Sequence, residues 1–169
     1  MITRKKARTA KIGVFAVAHA TYWAQFDGLE GNIMGFHKDF VKSVEKNAVE
    51  TVDFGMVDSS EKAYETVKKI LAADVDILFC NMVTYATSSV FAPIIKEVDK
   101  PVILTALQPL SALDYTKANT FMQLENDNIC SVPEFTGVAI RMGKKVADVI
   151  IGSLYNDAEA EKAVAEWCD

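Results

Sequence analysis

Five short apolar runs, each leading into a stretch of helical periodicity, limit what this chain can fold into more than any other feature. They are Lys11 to Ala18, Val49 to Val57, Val75 to Val83, Pro101 to Leu107 and Val146 to Ile151. Runs of this length, rich in Val, Ile and Phe, read as parallel strands with helices over both faces. The second run carries Glu50 and Asp53 out of phase with its apolar residues, as an edge strand would. Regular alternation of strand and helix predicts a three-layer, doubly wound parallel sheet. Right-handed crossovers leave few arrangements of five strands, and the order 2-1-3-4-5 is expected.

The helices are signalled by their starts. Asp27 with Glu30, Asp58 with Glu61, Ser131 with Glu134 and Asn156 with Glu159 all have capping-box spacing. Pro133 fits a first helical turn, where its missing N–H is not needed. Leu29, Ile33, Phe36, Phe40 and Val44 make one apolar stripe, and Ala63, Val67, Ile70 and Leu71 another. Val90, Phe91, Ile94 and Ile95 mark a helix beginning near Thr87, and Ala163, Val164 and Trp167 mark the last. His37 falls within the first of these helices and is expected at the surface. The stretch from Asp114 to Asn128 interrupts the alternation. It is too polar for a core element, and a short extra strand is expected over Thr120 to Leu124.

A chain of 169 residues fits one domain with a continuous core. No repeat, low-complexity tract or linker marks a second one. The basic cluster Arg4, Lys5, Lys6 and Arg8 reads as a solvated, disordered arm over residues 1–10, ahead of a single α/β domain over 11–169. A net charge of −5 gives no reason to expect nucleic acid. No apolar run approaches the roughly 20 residues that span a bilayer, and no signal-peptide h-region is seen. Cys80, Cys130 and Cys168 are odd in number and lack CxxC spacing, with Cys80 inside an apolar run. That pattern points to a reducing, cytoplasmic setting without disulfides or structural zinc.

In open α/β sheets, ligands bind where loops leave the carboxyl ends of the strands. Here that edge collects His19, Tyr22 and Trp23 after the first strand and Asp58 after the second. Thr84, Tyr85, Thr87 and Ser88 follow the third, and Gln108 the fourth. Hydroxyls, an amide and phenols with little charge suit a partner recognised by hydrogen bonds, a sugar or polyol rather than a phosphate. Asp58 and Thr87 also read as helix caps, Asp58 chiefly so, and Tyr22 and Trp23 as packing residues. The first strand–helix turn, Val17-Ala18-His19-Ala20-Thr21-Tyr22, lacks the GxGxxG of dinucleotide sites. It also lacks a P-loop or the Ser/Thr/Gly-rich loop that would hold flavin mononucleotide. The run from Thr84 to Ser89 could meet a phosphate at a helix N-terminus, but it contains no glycine. With only His19 and His37 available, a metal site is a weak expectation, and no Ser-His-Asp arrangement or GxSxG elbow is present. No catalytic residue is assigned.

The segments Tyr22-Trp23-Ala24-Gln25-Phe26-Asp27-Gly28-Leu29, Thr84-Tyr85-Ala86-Thr87-Ser88-Ser89 and Leu107-Gln108-Pro109, with Glu134-Phe135 and Arg141-Met142, carry a family resemblance. In this order they resemble the N-terminal domain of the L-arabinose isomerase and L-fucose isomerase superfamily, from about Lys11 to the C-terminus. The resemblance implies a flavodoxin-like domain taken from a much longer enzyme that interconverts aldoses and ketoses with a divalent metal, usually manganese. It places the metal's carboxylate and histidine ligands in later domains that this chain lacks, so the chain by itself is expected to be inactive. It further implies that this domain packs over a neighbouring subunit's metal centre, within a homo-oligomer, and supplies substrate contacts. His19 stands where L-arabinose isomerases carry a substrate-touching glutamine, Gln108 matches a glutamine, and Tyr85 replaces a phenylalanine. The histidine–threonine pair before that glutamine is missing, which leaves the particular sugar open.

On that basis the expected substrate contacts are His19, Tyr22, Thr84, Tyr85 and Gln108, and the chain is expected to be an excised domain or truncated product. A stand-alone flavodoxin-like module that binds a small sugar or signals to a partner is the alternative. A redox or nucleotide protein of the same fold comes third.

Overall fold

Each of the five apolar runs forms a strand, and all five pair in parallel. In a computed structural model describing residues 9–169 the strands are β1 (Lys11–Val17), β2 (Glu50–Val57), β3 (Ile77–Met82), β4 (Val102–Gln108) and β5 (Asp148–Ser153). The order is β2-β1-β3-β4-β5, the flavodoxin-like arrangement. The basic cluster Arg4 to Arg8 lies outside the described residues.

The strands are apolar on both faces because both are covered. Ile12 and Val14 of β1 pack toward α1 (Leu29–Glu45) and α6 (Ala158–Cys168), with Phe40, Phe79 and Ile103. Phe15 and Val17 point the other way, toward α2 (Ser60–Ala73), α3 (Ser88–Glu97) and α5 (Val132–Arg141), with Leu78, Phe91 and Phe135. A third cluster closes the carboxyl edge of the sheet. It gathers Ala16, Ala18, Leu29, Ile33 and Val83 around Leu124 of α4 (Thr120–Glu125).

The edge strand β2 is bulged. Val14 pairs with Asp53 and Ala16 with Met56, so Phe54 and Gly55 together oppose Phe15. Gly55 takes the positive φ of 78° that the kink requires, and its N–H donates to the Asp53 carboxylate at 2.7 Å.

Several expectations need correction. Thr120 to Leu124 forms a helix, not a strand, because the Asn119 side chain caps it by accepting from Met122 N–H at 2.9 Å. None of the capping boxes forms as drawn. Gly28, in the left-handed region, precedes α1 without a side-chain cap, while Ser59 caps α2 and Asp157 caps α6. Leu71 of the α2 stripe is exposed. His37 is wholly buried, its ring bonded to Asp53 and Asn81, where a surface position was expected. Cys80, Cys130 and Cys168 are all free thiols. Among the described residues no helix is long and apolar enough to cross a membrane.

Candidate functional site

The carboxyl edge is built by extending the sheet beyond its strands. Ala18 N–H bonds to Val57 O and Ala20 N–H to Asp58 O, both at 3.1 Å, which carries β1 into a 3-10 turn over Ala20–Tyr22. Asp58 fixes that turn instead of capping α2. It is buried, accepts from Trp23 Nε1 at 2.9 Å, and pairs with Lys62 Nζ at 2.8 Å. His19 and Tyr22, both half-buried, then meet edge to face, with centroids 5.4 Å apart. The aromatic chain continues through Phe26 to Phe121, each step 6.4 Å.

The loop after β3 is held from across the fold. Ser131, the residue before α5, accepts from Ala86 N–H at 3.0 Å and donates to Ala86 O at 2.7 Å. Glu134 Oε1 accepts from Ser88 N–H at the start of α3. Ser131 and Glu134 therefore clamp the Tyr85 loop and do not cap their own helix. Thr87 stands at the N-cap position without a side-chain cap bond, its hydroxyl 2.7 Å from that of Ser89.

Tyr22 and Tyr85 are brought together. Burial raises the Tyr22 phenol above its ordinary pKa, and the nearby Tyr85, Asp127 and Cys130 raise it further. His19 and Tyr22 thus meet at the carboxyl edge, with Tyr85, Asp127 and Cys130 near enough to act on the Tyr22 phenol. Thr84 is fully buried, and its hydroxyl has no hydrogen-bond partner among the described residues. Gln108 is half-buried and is engaged internally, donating from Nε2 to Asn126 O at 3.0 Å.

That last contact belongs to a polar excursion that sequence reasoning missed as part of the site. Asn126 accepts from Leu110 N–H at 3.0 Å, and Asn128 donates to Met82 O at 2.7 Å. These side-chain amides stitch the segment after β4 down over the edge. Leu124 and Phe121 are thereby set against the residues lining the strand-order reversal between β1 and β3. The only sequence signal was the run Glu125-Asn126-Asp127-Asn128, whose amides can satisfy backbone groups where no ladder exists. A groove of about 540 Å³ lies elsewhere, between α1 and α6, lined by Asp39, Lys42, Tyr155 and Glu161 among others. It contains none of the expected contact residues.

The thiol of Cys130 is turned to Asp127 O at 3.2 Å. Burial, then the neighbouring Asp127, pushes its pKa up to about 12. The thiolate is the nucleophile, so even with Cys130 exposed the folded protein at pH 8 is expected to lose it to iodoacetamide at least about tenfold more slowly than the urea-unfolded chain does. Peptide mapping by mass spectrometry reads this rate, and equal rates would refute it. Among the described residues no three His, Cys, Asp or Glu side chains are grouped to hold a metal ion.

No family model and no curated protein matches this chain. Solved structures do. A type II dehydroquinase from Propionibacterium acnes is 11% identical, with 95% of this chain and 98% of that one covered, at a TM-score of 0.49. An azoreductase from Bacillus anthracis str. Sterne is 12% identical over 95% and 97%, at a TM-score of 0.39. Identities this low bear on neither activity nor substrate.

Proposed function

We propose that this chain is the N-terminal substrate-capping and oligomerising domain of a metal-dependent aldose–ketose isomerase of the arabinose/fucose type. One observation carries the reading: His19 and Tyr22 meet on a rim at the carboxyl edge, with Tyr85, from the loop after a different strand, near enough to act on the Tyr22 phenol. Each is a ring with an apolar body and a polar tip. A sugar offers the matching combination, a C–H face bordered by hydroxyls.

In this reading the chemistry of the reaction belongs to metal-binding domains other than this one. There a bound divalent metal would polarise the carbonyl during proton transfer between C1 and C2. The residues of this chain bind and orient. His19 and the two phenols hydrogen-bond the sugar's hydroxyls, and the aromatic chain from Tyr22 to Phe121 keeps water from one side. In this reading the domain works only when laid over a neighbouring subunit.

The isolated chain with manganese is expected to give no ketose from L-arabinose or L-fucose. Mixed with a polypeptide carrying the metal-binding domains, it is expected to restore turnover. His19→Ala in that mixture is expected to lower kcat/KM about tenfold, the worth of one hydrogen bond to substrate. Turnover by this chain alone would overturn the proposal, as would complementation indifferent to His19 and Tyr85. Calorimetric uptake of sugar without any partner would favour a stand-alone binding module instead.

A further inference from the structure

We infer that His37 is the centre of a buried proton switch, a hydrogen-bond chain from Asp53 through His37 and Asn81 to Thr105 that is complete whether the imidazole is neutral or protonated. The chain crosses the sheet on the α1 face. Asp53 Oδ1 lies 3.0 Å from His37 Nε2, and Asn81 Nδ2 lies 3.1 Å from His37 Nδ1. Thr105 Oγ1 lies 3.4 Å from both Asn81 Oδ1 and Cys80 O. His37, Asn81 and Thr105 are all buried, and His37 is fully shielded from solvent.

The tautomer follows from the partners. An amide nitrogen can only donate, so Nδ1 must accept and the ring proton sits on Nε2, facing Asp53. Asp53 answers as a carboxylate: its pKa is held below the ordinary value, first by the bond from His37.

A second proton would land on Nδ1, against the Asn81 NH2 group. Turning that one amide over removes the conflict. Oδ1 then accepts from Nδ1, and Nδ2 donates to Thr105 Oγ1, whose own proton goes to Cys80 O. Each link of the chain then has one donor and one acceptor in either state, which is what a buried polar network needs to be tolerated. Asp53 faces the ring from β2, with Lys38 of α1 near enough to act on that carboxylate. β3 presents Asn81 to the ring and β4 presents Thr105 to Asn81, while β1 turns Ile12, Val14 and Ala16 toward α1. Asn81 and Thr105 lie in the two strands that lead into Thr84 and Gln108, so the switch sits directly beneath the rim. It does not depend on what that rim binds.

The test uses long-range 1H–15N correlation spectra of the full chain, which has only two histidines. His37 is expected as the Nε2–H tautomer at high pH. On acidification it gains Nδ1–H, and the Asn81 side-chain amide shifts with the same midpoint while backbone and methyl spectra stay native. Asn81→Asp, which can only accept when ionised, is expected to raise the midpoint by at least about one pH unit, tenfold in proton affinity. Asn81→Leu is expected to lower it by about one unit, because a bond to the charged ring is worth more than one to the neutral ring. An Nδ1–H tautomer at high pH, titration only together with global unfolding, or a midpoint unmoved in folded variants would each overturn the switch. If neither variant folds, the wild-type tautomer and the Asn81 amide shift decide.

Discussion

Alanine in place of Phe135 is expected to destabilise the fold by about 3–5 kcal/mol, a large share of the 5–15 typical of a domain this size. Phe135 is fully buried and stacked on Phe91, with centroids 4.6 Å apart and ring planes within 13°. Truncation leaves a ring-sized void in a close-packed layer and removes a specific aromatic contact worth about 1 kcal/mol more. The effect reaches the candidate site by a short route. Phe135 anchors α5, which carries Glu134 and follows directly on Ser131, and these two hold Ala86 and Ser88 in the Tyr85 loop. Urea unfolding should show the full loss, and native-state hydrogen exchange should show Ala86 and Ser88 amides opening faster. A loss under about 1 kcal/mol, or unchanged protection at those amides, would refute the coupling.

Valine at Gly13 is expected to be nearly as damaging, for the opposite reason. Gly13 lies where β1 is crossed by side chains from both neighbouring strands. A Cβ there would sit 2.6 Å from Leu78 Cδ2, 2.8 Å from Phe54 Cε2 and 3.3 Å from Val75 Cγ1. No left-handed backbone is involved, so the penalty is steric, about 1–3 kcal/mol for overpacking and more for a branched side chain. Leu78 and Val75 are fully buried and cannot retreat, whereas Phe54 is only partly buried. Gly13→Ala combined with Phe54→Ala should therefore be less destabilised than the sum of the two single variants. Strict additivity in that double-mutant cycle would remove the steric explanation.

The sheet order was legible because it rests on period and length, which tertiary contacts rarely override. Helix starts were legible only to within a residue. Asp58 and Ser59, like Asn156 and Asp157, are adjacent residues able to cap, and the choice is made by partners remote in sequence. Trp23 and Lys62 draw Asp58 away, and Asn156 takes a positive φ of 58°. His37 was misjudged by residue type. It stands four residues after Ile33 and three before Phe40, squarely on the buried stripe, and its position was the better guide. The position of His19, Tyr22 and Tyr85 at the carboxyl edge was legible because each follows a strand. The internal engagement of Gln108 and the nearness of Asp127 were not, since both depend on how a non-periodic segment folds back. Thr120 to Leu124 reads as strand by composition, and a single asparagine before it reverses the outcome.

The irregularity at Phe54 and Gly55 governs how copies of this protein can meet. An outer strand with an even row of free amides and carbonyls is a template on which another chain can grow a ladder. A kink in the middle of β2 spoils that row. Fibril-like growth from this side is thereby discouraged, which leaves β5, at the opposite edge, the more regular border for any assembly that extends the sheet.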